Sequence, residues 1–378
     1  MRQAVVVGAG ISGLAAALAL HRTGWAVTVL ERAPELGAVG AGLTLWPNAM
    51  RALDVLKLGD AVRDRSVRIG ESGGLRDPGG RLVVRTAGIT EQVMTDLRAL
   101  HRADLHAVLV DALPAGLVRT GCRVDSVGTD VVLADGERVT ADLIVGADGV
   151  DSAVRRAFWP DRPRYRGYTA WRGVTPPGAV RIDGGVGETW GRGTRFGIVG
   201  LNGDRTYWFA VANAEPGVRY DDEWAEVRRR FGSWHAPIPA LLEATPRQDV
   251  LHHDIVDLPP LKSYVDGRVV LLGDAAHAMT PDVGQGGCQA LEDAVVLAAR
   301  VTAGDSAAGL DAGLARYDAE RRPRTQSIAR LARRIGRFAQ ADNALLVPLR
   351  TQLLRLAPPR AAERTLDRIT RWVPPPLD

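Results

Sequence analysis

Residues 4–31 read AVVVGAGISGLAAALALHRTGWAVTVLE, and the order of parts in this stretch decides the fold class. Ala4–Val7 is a short apolar run of the kind buried on both faces of a parallel sheet. Gly8-Ala9-Gly10-Ile11-Ser12-Gly13 follows at once. Leu14, Ala15, Leu18 and Ala19 then recur at helical spacing until Gly24 stops the pattern. Ala26–Leu30 reads as a second strand, closed by Glu31. Strand, glycine turn, helix, strand and acid make a complete βαβ dinucleotide-binding unit. Gly8 permits the tight turn, Gly10 lets the backbone approach a pyrophosphate, and Gly13 allows close helix packing. The helix N-terminus offers unpaired N–H groups and a partial positive charge to phosphates. Glu31, about twenty residues further on, can accept both ribose hydroxyls of an adenosine. By itself the unit does not distinguish NAD from FAD.

The rest of the chain must be built around that unit. At 378 residues it exceeds one ordinary domain, so two lobes are expected. A net charge of +4 raises the question of a nucleic-acid partner. Only Lys57 and Lys262 are lysines, and the arginines are mixed with almost as many acids. No basic stripe is interleaved with aromatics, which argues against nucleic acid. Cys122 and Cys288 lie far apart and form neither a disulfide framework nor a metal-ligand spacing. The first strand begins at Ala4, which leaves no room for a signal peptide, and no run reaches the ~18 apolar residues of a membrane span. A cytoplasmic protein without membrane insertion is expected.

A second motif stands near the other end. Residues 268–300 read RVVLLGDAAHAMTPDVGQGGCQALEDAVVLAAR. Arg268–Leu272 is another apolar strand, leading into Gly273-Asp274-Ala275-Ala276-His277. After Pro281 come Gly284-Gln285-Gly286-Gly287-Cys288 and a helix. Its buried stripe is read as Leu291, Ala294, Val295 and Ala298, with Glu292 and Asp293 on the surface. An acid at the strand end suits sugar-like hydroxyls such as those of a ribityl chain. A glycine-rich helix N-terminus suits a place where negative charge accumulates, as on a reduced flavin ring. Between the two motifs, Val131–Leu133 and Arg138–Thr140 form a hairpin about Asp135-Gly136. The run from Asp142 to Gly149 is a further buried strand ending in the Asp148-Gly149 turn.

Taken together, the three motifs resemble those of the FAD-dependent aromatic-ring hydroxylases, the single-component flavoprotein monooxygenases. That family carries an N-terminal glycine fingerprint, an Asp-Gly motif in mid-chain and a Gly-Asp motif late in its flavin domain. The resemblance runs from about residue 3 to residue 330. The likeness in motif is greatest to the FAD-dependent urate hydroxylases, through the stretches Val39–Asn48 and Gly267–Asp293. It implies an α/β fold: a Rossmann-like FAD-binding domain interleaved with a mostly antiparallel β-sheet substrate domain, and C-terminal helices. The expected division gives residues 1–75, 98–160 and 265–335 to the FAD-binding domain. Residues 76–97 and 161–264 go to the substrate domain, and 336–378 form a helical tail.

By the same resemblance, Ser12 would contact the pyrophosphate, and Glu31 with Arg32 the adenosine. Thr44 and Arg102 would lie along the ribityl and phosphate chain, Arg102 at a helix start that is itself a natural phosphate site. Val124 would meet the adenine through its backbone, and Asp274 would bind ribityl or phosphate-side groups. Asp148 and Pro281 belong to the same FAD set, and Gly284, Gln285, Gly286, Gly287 and Cys288 would line the flavin ring. His277 is expected to be a packed strand-end residue, and no metal is needed.

Residues 160–262 differ in character. Trp171, Trp190, Phe196, Tyr207, Trp208 and Phe209 fall in strand-like segments, with Asn202-Gly203 turning a hairpin between Thr194–Leu201 and Arg205–Ala212. Any one of them suits a sheet core; as a set they suggest the floor and walls of a site for a planar ligand. The resemblance to the urate hydroxylases places Arg195, Tyr207 and Asp282 at the substrate. Arg195 sits in a run without polar alternation, so its charge needs a partner, which a ligand oxyanion or carbonyl would supply. A structural salt bridge to Glu188 or Asp204 is the alternative. The run Tyr168-Thr169-Ala170-Trp171-Arg172 departs from the urate group, as does the tail past Ala339, so urate is one substrate among several. In that tail Leu345, Leu346, Leu349, Leu353 and Leu356 mark a helical face expected to pack on the flavin domain or on a second subunit.

The function this implies is an FAD-dependent monooxygenase. NADH or NADPH would act as a transient co-substrate, and O₂ would add at flavin C4a to form a hydroperoxide that oxygenates an aromatic or heteroaromatic small molecule. A reductase or oxidase on the same scaffold that does not insert oxygen is the alternative, and a flavin redox sensor a further one. A monomer and a homodimer are both open. A flavin halogenase would need a Trp-x-Trp-x-Ile-Pro run that is absent, and an NAD-dependent dehydrogenase would leave the Gly273-Asp274 and Asp148-Gly149 motifs unexplained.

Overall fold

The computed structural model describes residues 2–37, 40–70, 73–85, 96–182, 186–302, 306–356 and 366–377; Val39, within one of the stretches quoted above, lies outside them. The opening unit folds as its sequence dictates: strand β1 (Gln3–Val7), helix α1 (Ile11–Arg22) and strand β2 (Ala26–Leu30). β1 and β2 pair in parallel, because the helix between them supplies the crossover that a parallel pair needs. The later buried runs join them in one six-stranded sheet. Its order is Val265–Asp266, Val269–Leu271, Leu143–Gly146, β1, β2, Val118–Arg119. The Asp-Gly turn and the late Gly-Asp turn therefore leave neighbouring strands at the same edge as the Gly8 turn. The hairpin about Asp135-Gly136 forms a separate small sheet with Val124–Val127.

A seven-stranded sheet carries the second lobe, in the order Leu251–Asp257, Arg164–Val174, Arg205–Asn213, Thr194–Leu201, Val186–Trp190, Gly74–Arg76, Leu82–Arg85. Strands from residues 74–85 and from residues 164–257 thus share one sheet across a long break in sequence. Its two faces are unlike. Trp171, Phe196 and Trp208 point to one face and pack with Val227, Phe231, Ile238 and Leu241 from the helices Glu223–Phe231 and Ile238–Ala244. This corrects the expectation that the aromatic set frames one ligand site: these three are core beneath helices. Their period-two partners, among them Tyr207 and Phe209, face the other way, toward the first lobe.

Helix α2 (Pro47–Val55) and the helix beginning at Gly286 cover the first sheet. A 33-residue helix, Ala307–Ala339, crosses the expected boundary at residue 335. In the tail, the helix Leu346–Leu356 turns its leucines away from the flavin domain, the first of the two places expected for them; Leu349 is 54% exposed and Leu353 52%. It docks instead through buried Arg350, whose guanidinium donates to Ala339 O and to Gly191 O and lies over Trp190. The segment after it does pack on the first lobe, where Arg51 donates to Trp372 O and Arg324 to Ile369 O. Among the described residues, no helix is long and apolar enough to cross a membrane.

Candidate active site

The site is built where the glycine turns of the first sheet converge. Gly8 has φ 102°, and a Cβ there would lie 2.6 Å from Ala147 O; one at Gly13 would lie 1.9 Å from Gly8 O. These two glycines lock α1 onto the turn and the turn onto the Ala147-Asp148 bend. Gly10 is different. Its φ of −75° suits any residue, and no atom lies within 4 Å of a Cβ built there. Neither backbone nor packing calls for glycine at 10, whereas a pyrophosphate approaching the turn does. The α1 N-terminus has no side-chain cap and no acid in its first turn, so its N–H groups remain available to an anion.

Glu31 is held in place by two bonds: Ala9 N–H donates to its Oε2 at 2.8 Å and Ala33 N–H to its Oε1 at 2.9 Å. Arg32 is exposed beside it. The chain leading to Val124 runs alongside, with Cys122 N–H bonded to Glu31 O at 2.8 Å. Asp148 Oδ2 caps the helix Ala153–Phe158 by accepting from Ala153 N–H at 2.6 Å, while its Oδ1 is buried without a partner.

Gly273 lies beside Ser12, and Asp274 opens a four-residue helix with its side chain exposed. Gly284 (φ 61°) sits against Trp46 Nε1 and Thr44 Oγ1, and the Trp46 indole N–H is buried with no partner. Cys288 is buried at the end of the same run, with Thr44 O and Gly284 O as its weak acceptors. Burial pushes its thiol up to about 12, so it stays protonated and is a packing group. Ser12, Thr44, Asp274 and the Gly284–Cys288 run thus meet around one cleft, with Pro281 exposed at its rim. Arg102 packs its stem against Gly40 and leaves its head exposed. The helix it begins is not an open phosphate site, because His101 Nδ1 accepts from Ala103 N–H.

Beneath the cleft lies a cluster that sequence reasoning missed. Glu292 and Asp293 are fully buried, not on the surface, because Arg321 from the Ala307–Ala339 helix reaches both, at 2.5 and 2.7 Å. Asp293 Oδ2 in turn accepts from Gly273 N–H at 2.9 Å and meets His277 Nε2 at 2.6 Å. Glu292 also binds Asn48 and Arg324, and Gln289 bridges to Gln285. Burial pushes the Asp293 carboxyl up, but the charges of His277 and Arg321 outweigh it and hold it at about 2. The turns at Gly273 and at Gln285 are therefore both fastened to one ion cluster. Two adjacent acids inside an apolar helix were the available signal that a buried cation must exist.

The sheet face opposite the cleft carries the predicted substrate residues. Arg195 pairs across strands with Val211, and Tyr207 with Val199, which places both on this face. Arg195 is 3% exposed and needs no ligand to satisfy it: Nη2 donates to Asp282 Oδ1 at 2.7 Å, Nε to Gln340 Oε1 at 2.7 Å, and Nη1 reaches Glu188 Oε1 at 3.5 Å. Tyr168 O–H donates to the other Asp282 oxygen at 2.7 Å. The Pro281–Val283 turn is thus pinned to the sheet through Asp282. Burial, then the Asp282 charge, pushes the Tyr168 hydroxyl well above the usual phenol range, so it remains a donor. Tyr207 packs against Gly42 of the strand Gly42–Leu45, and Phe209 covers Gly197 between the Arg195 and Tyr207 ends of the face.

The family model described as "FAD binding domain" matches residues 1–332. The chain is 42% identical to the aurachin C monooxygenase/isomerase of Stigmatella aurantiaca, over 93% of each protein. It is 34% identical to a Klebsiella pneumoniae FAD-dependent urate hydroxylase, covering 88% of this chain and 89% of that one. The chain belongs to the family of FAD-dependent aromatic-ring monooxygenases. Among solved structures, Klebsiella pneumoniae HpxO complexed with FAD and uric acid superposes with a TM-score of 0.87 at 29% identity, covering 98% of this chain and 96% of that one. A salicylate hydroxylase substrate complex matches with a TM-score of 0.74 at 25% identity, over 97% and 98%. The protein is accordingly an FAD-dependent monooxygenase with the mixed α/β fold of its family.

Proposed function

We propose that this enzyme uses NADH or NADPH and O₂ to hydroxylate a small aromatic or heteroaromatic molecule held between the FAD cleft and the polar-edged face of the seven-stranded sheet. The observation that carries the reading is a juxtaposition: the turn that leads into the Gly284–Cys288 run is bonded through Asp282 to Arg195 of the sheet, and Tyr207 of the same sheet face packs against Gly42, two residues before Thr44. Bound FAD would accept a hydride from the nicotinamide and make O₂ reactive toward an electron-rich ring. The chain's own residues do the rest. Gly8, Gly10, Ser12 and Gly13 would receive the pyrophosphate. Glu31 and Arg32 would hold the adenosine, with Val124 beside the adenine and Asp148 near the turn. Thr44, Arg102 and Asp274 would fix the ribityl and phosphate chain, and Pro281 with Gly284, Gln285, Gly286, Gly287 and Cys288 would bound the ring.

The Asp282 pair with Arg195 supports a rigid wall beside the ring, since a guanidinium held on a sheet by three partners, Asp282, Gln340 and Glu188, moves less than a loop. Placement matters because a misplacement of about 1 Å can cost on the order of a hundredfold in rate. Only one complete glycine fingerprint occurs, so the nicotinamide would bind transiently, without a Rossmann unit of its own. The division into a flavin domain (1–75, 98–160, 265–335), a substrate domain (76–97, 161–264) and a tail (336–378) is part of the proposal. The membership of the two large sheets supports it, although the helix Ala307–Ala339 bridges the last boundary.

The test is a screen of planar aromatic acids, phenols and quinolones for compounds that stimulate NAD(P)H oxidation. The expected hit consumes NAD(P)H and O₂ in equal amounts and gains one oxygen atom. Ligand-stimulated consumption that yields only hydrogen peroxide, for every compound accepted, would make the protein an oxidase instead.

A further inference from the structure

The C-terminal arm is out of balance in both charge and polarity. Residues 321–362 contain ten arginines and one acid, Asp342, in a chain that carries 48 basic and 44 acidic residues overall. Some of these arginines are engaged inside the fold: Arg321 and Arg324 with Glu292, Arg322 with Asp318 and Arg333 with Asp257. Arg330, Arg334 and Arg337 are not. They recur at i, i+4 and i+7 on the outer face of the helix Ala307–Ala339, all exposed, with no ion pair among the described residues. Phe338, 39% exposed, borders this stripe.

The helix Leu346–Leu356 carries the apolar half of the imbalance. Leu346, Leu349, Leu353 and Leu356 fall at i, i+3, i+7 and i+10, a single stripe, and each is more than half exposed. Leu345 precedes them, also exposed. The docked side of this helix is a different one: Arg350 is buried, and Val347, Thr351 and Leu354 are half-buried. The two helices meet at Trp190, which packs edge-on against Phe338 at 6.4 Å between ring centres and has the Arg350 guanidinium over it at 5.4 Å. An apolar ridge this continuous marks a contact surface, and charge selects its occupant. A two-fold contact with a second copy brings one patch against itself, setting arginine stripe beside arginine stripe with no acids to offset them. An anionic lipid surface suits both halves, taking leucine side chains into its acyl boundary and setting phosphates against the cations. At 11 residues the helix lies along such a surface and does not span it.

We propose that the C-terminal arm is a peripheral lipid-binding element. The leucine stripe seats in the headgroup boundary of an anionic membrane, and Arg330, Arg334 and Arg337 hold the lipid phosphates. The inference goes beyond the proposed reaction and does not depend on it.

The test is co-sedimentation of the full-length, FAD-loaded enzyme with vesicles of phosphatidylglycerol and phosphatidylcholine, against vesicles of phosphatidylcholine alone. The wild type should bind the anionic vesicles about tenfold or more tightly, and the difference should shrink as salt is raised and the charges are screened. Arg330→Gln with Arg334→Gln and Arg337→Gln should weaken anionic binding about a hundredfold, roughly fivefold for each cation near the surface. Leu349→Ser with Leu353→Ser should weaken it about tenfold or more, through lost apolar contact. All five side chains are exposed, so FAD content and thermal melting should match the wild type. Single variants Arg334→Gln and Leu353→Ser carry the test where a multiple variant loses FAD. The proposal is overturned if the wild type does not sediment with anionic vesicles, or binds both kinds equally. It is overturned too if the leucine variant binds as the wild type does, which would reduce the effect to general charge. Light scattering that shows a dimer dissociated by the leucine variant would also overturn it, giving the stripe to a second copy.

Discussion

Replacing Arg321 by Met should remove a large share of the enzyme's stability and loosen the turns at Gly273 and Gln285. Arg321 is 1% exposed, and its guanidinium serves Glu292, Asp293 and both the backbone and side-chain oxygens of Gln289. Without it, Glu292 keeps Arg324 and Asn48, whereas Asp293 keeps only His277 and the Gly273 N–H. Breaking a buried pair from one side costs about 3–5 kcal/mol, against a total stability of about 5–15 kcal/mol for a folded protein. Urea unfolding followed by circular dichroism, at fixed excess FAD, reads the loss; free FAD must be held constant because ligand binding itself adds stability. Arg321→Lys should fall between, since an ammonium cannot reach all four acceptors at once. The triple variant Arg321→Met with Glu292→Gln and Asp293→Asn should regain part of the loss, because no unpaired charge is left buried. An Arg321→Met enzyme within about 1 kcal/mol of wild type would refute the reasoning.

Gly10→Ala should fold with wild-type stability yet bind FAD at least tenfold more weakly, of order 1.4 kcal/mol, because the added methyl meets nothing but the cofactor's approach; unchanged FAD affinity by titration would remove Gly10 from the pyrophosphate site. Gly13→Ala should instead damage the fold, since its Cβ would meet Gly8 O at 1.9 Å, and a soluble variant with normal melting would contradict that. Asp274→Ala, which removes an exposed carboxylate with no hydrogen-bond or ion-pair partner among the described residues, should lower flavin content or raise peroxide leakage with little change in apo-protein stability; normal flavin content and coupling would free Asp274 of a cofactor role. Asp293 is held at about 2, below the about 3.9 of an unfolded aspartate. Its contribution is therefore complete above the unfolded value and fades as pH falls from about 4 toward 2. Asp293→Asn should flatten the acid limb of stability in that window, and an unchanged limb would show that other carboxylates set it.

Much of the fold was legible because its decisive parts are local. The Gly8–Gly13 turn, the hairpin about Asp135-Gly136 and the strand before Gly273 each carry their own turn chemistry and apolar run, and each formed where the sequence puts it. What could not be read depends on pairings distant in sequence. Glu292 and Asp293 look like surface acids until Arg321 arrives from another helix. Trp171 and Trp208 differ from Tyr207 and Phe209 only by the strand's period of two, and which face the helices cover is settled by tertiary packing. Arg195 was rightly seen to need a partner, but local sequence does not reveal that Asp282, in a turn of the other lobe, supplies it. The tail leucines follow helical spacing, yet the buried residue of their helix is Arg350, which finds carbonyl acceptors on neighbouring segments.

The central claim is that the cleft and the facing sheet together insert an oxygen atom from O₂ into a planar ring. Isotope labelling tests it most directly. The FAD-loaded enzyme is supplied with NAD(P)H, an accepted aromatic substrate and oxygen-18 gas in ordinary water, and the product is weighed by mass spectrometry. The account predicts one oxygen-18 atom in each product molecule, with NAD(P)H consumed in equal amount. A product whose added oxygen comes from water, or NAD(P)H consumption that sends all the label to hydrogen peroxide, would contradict it.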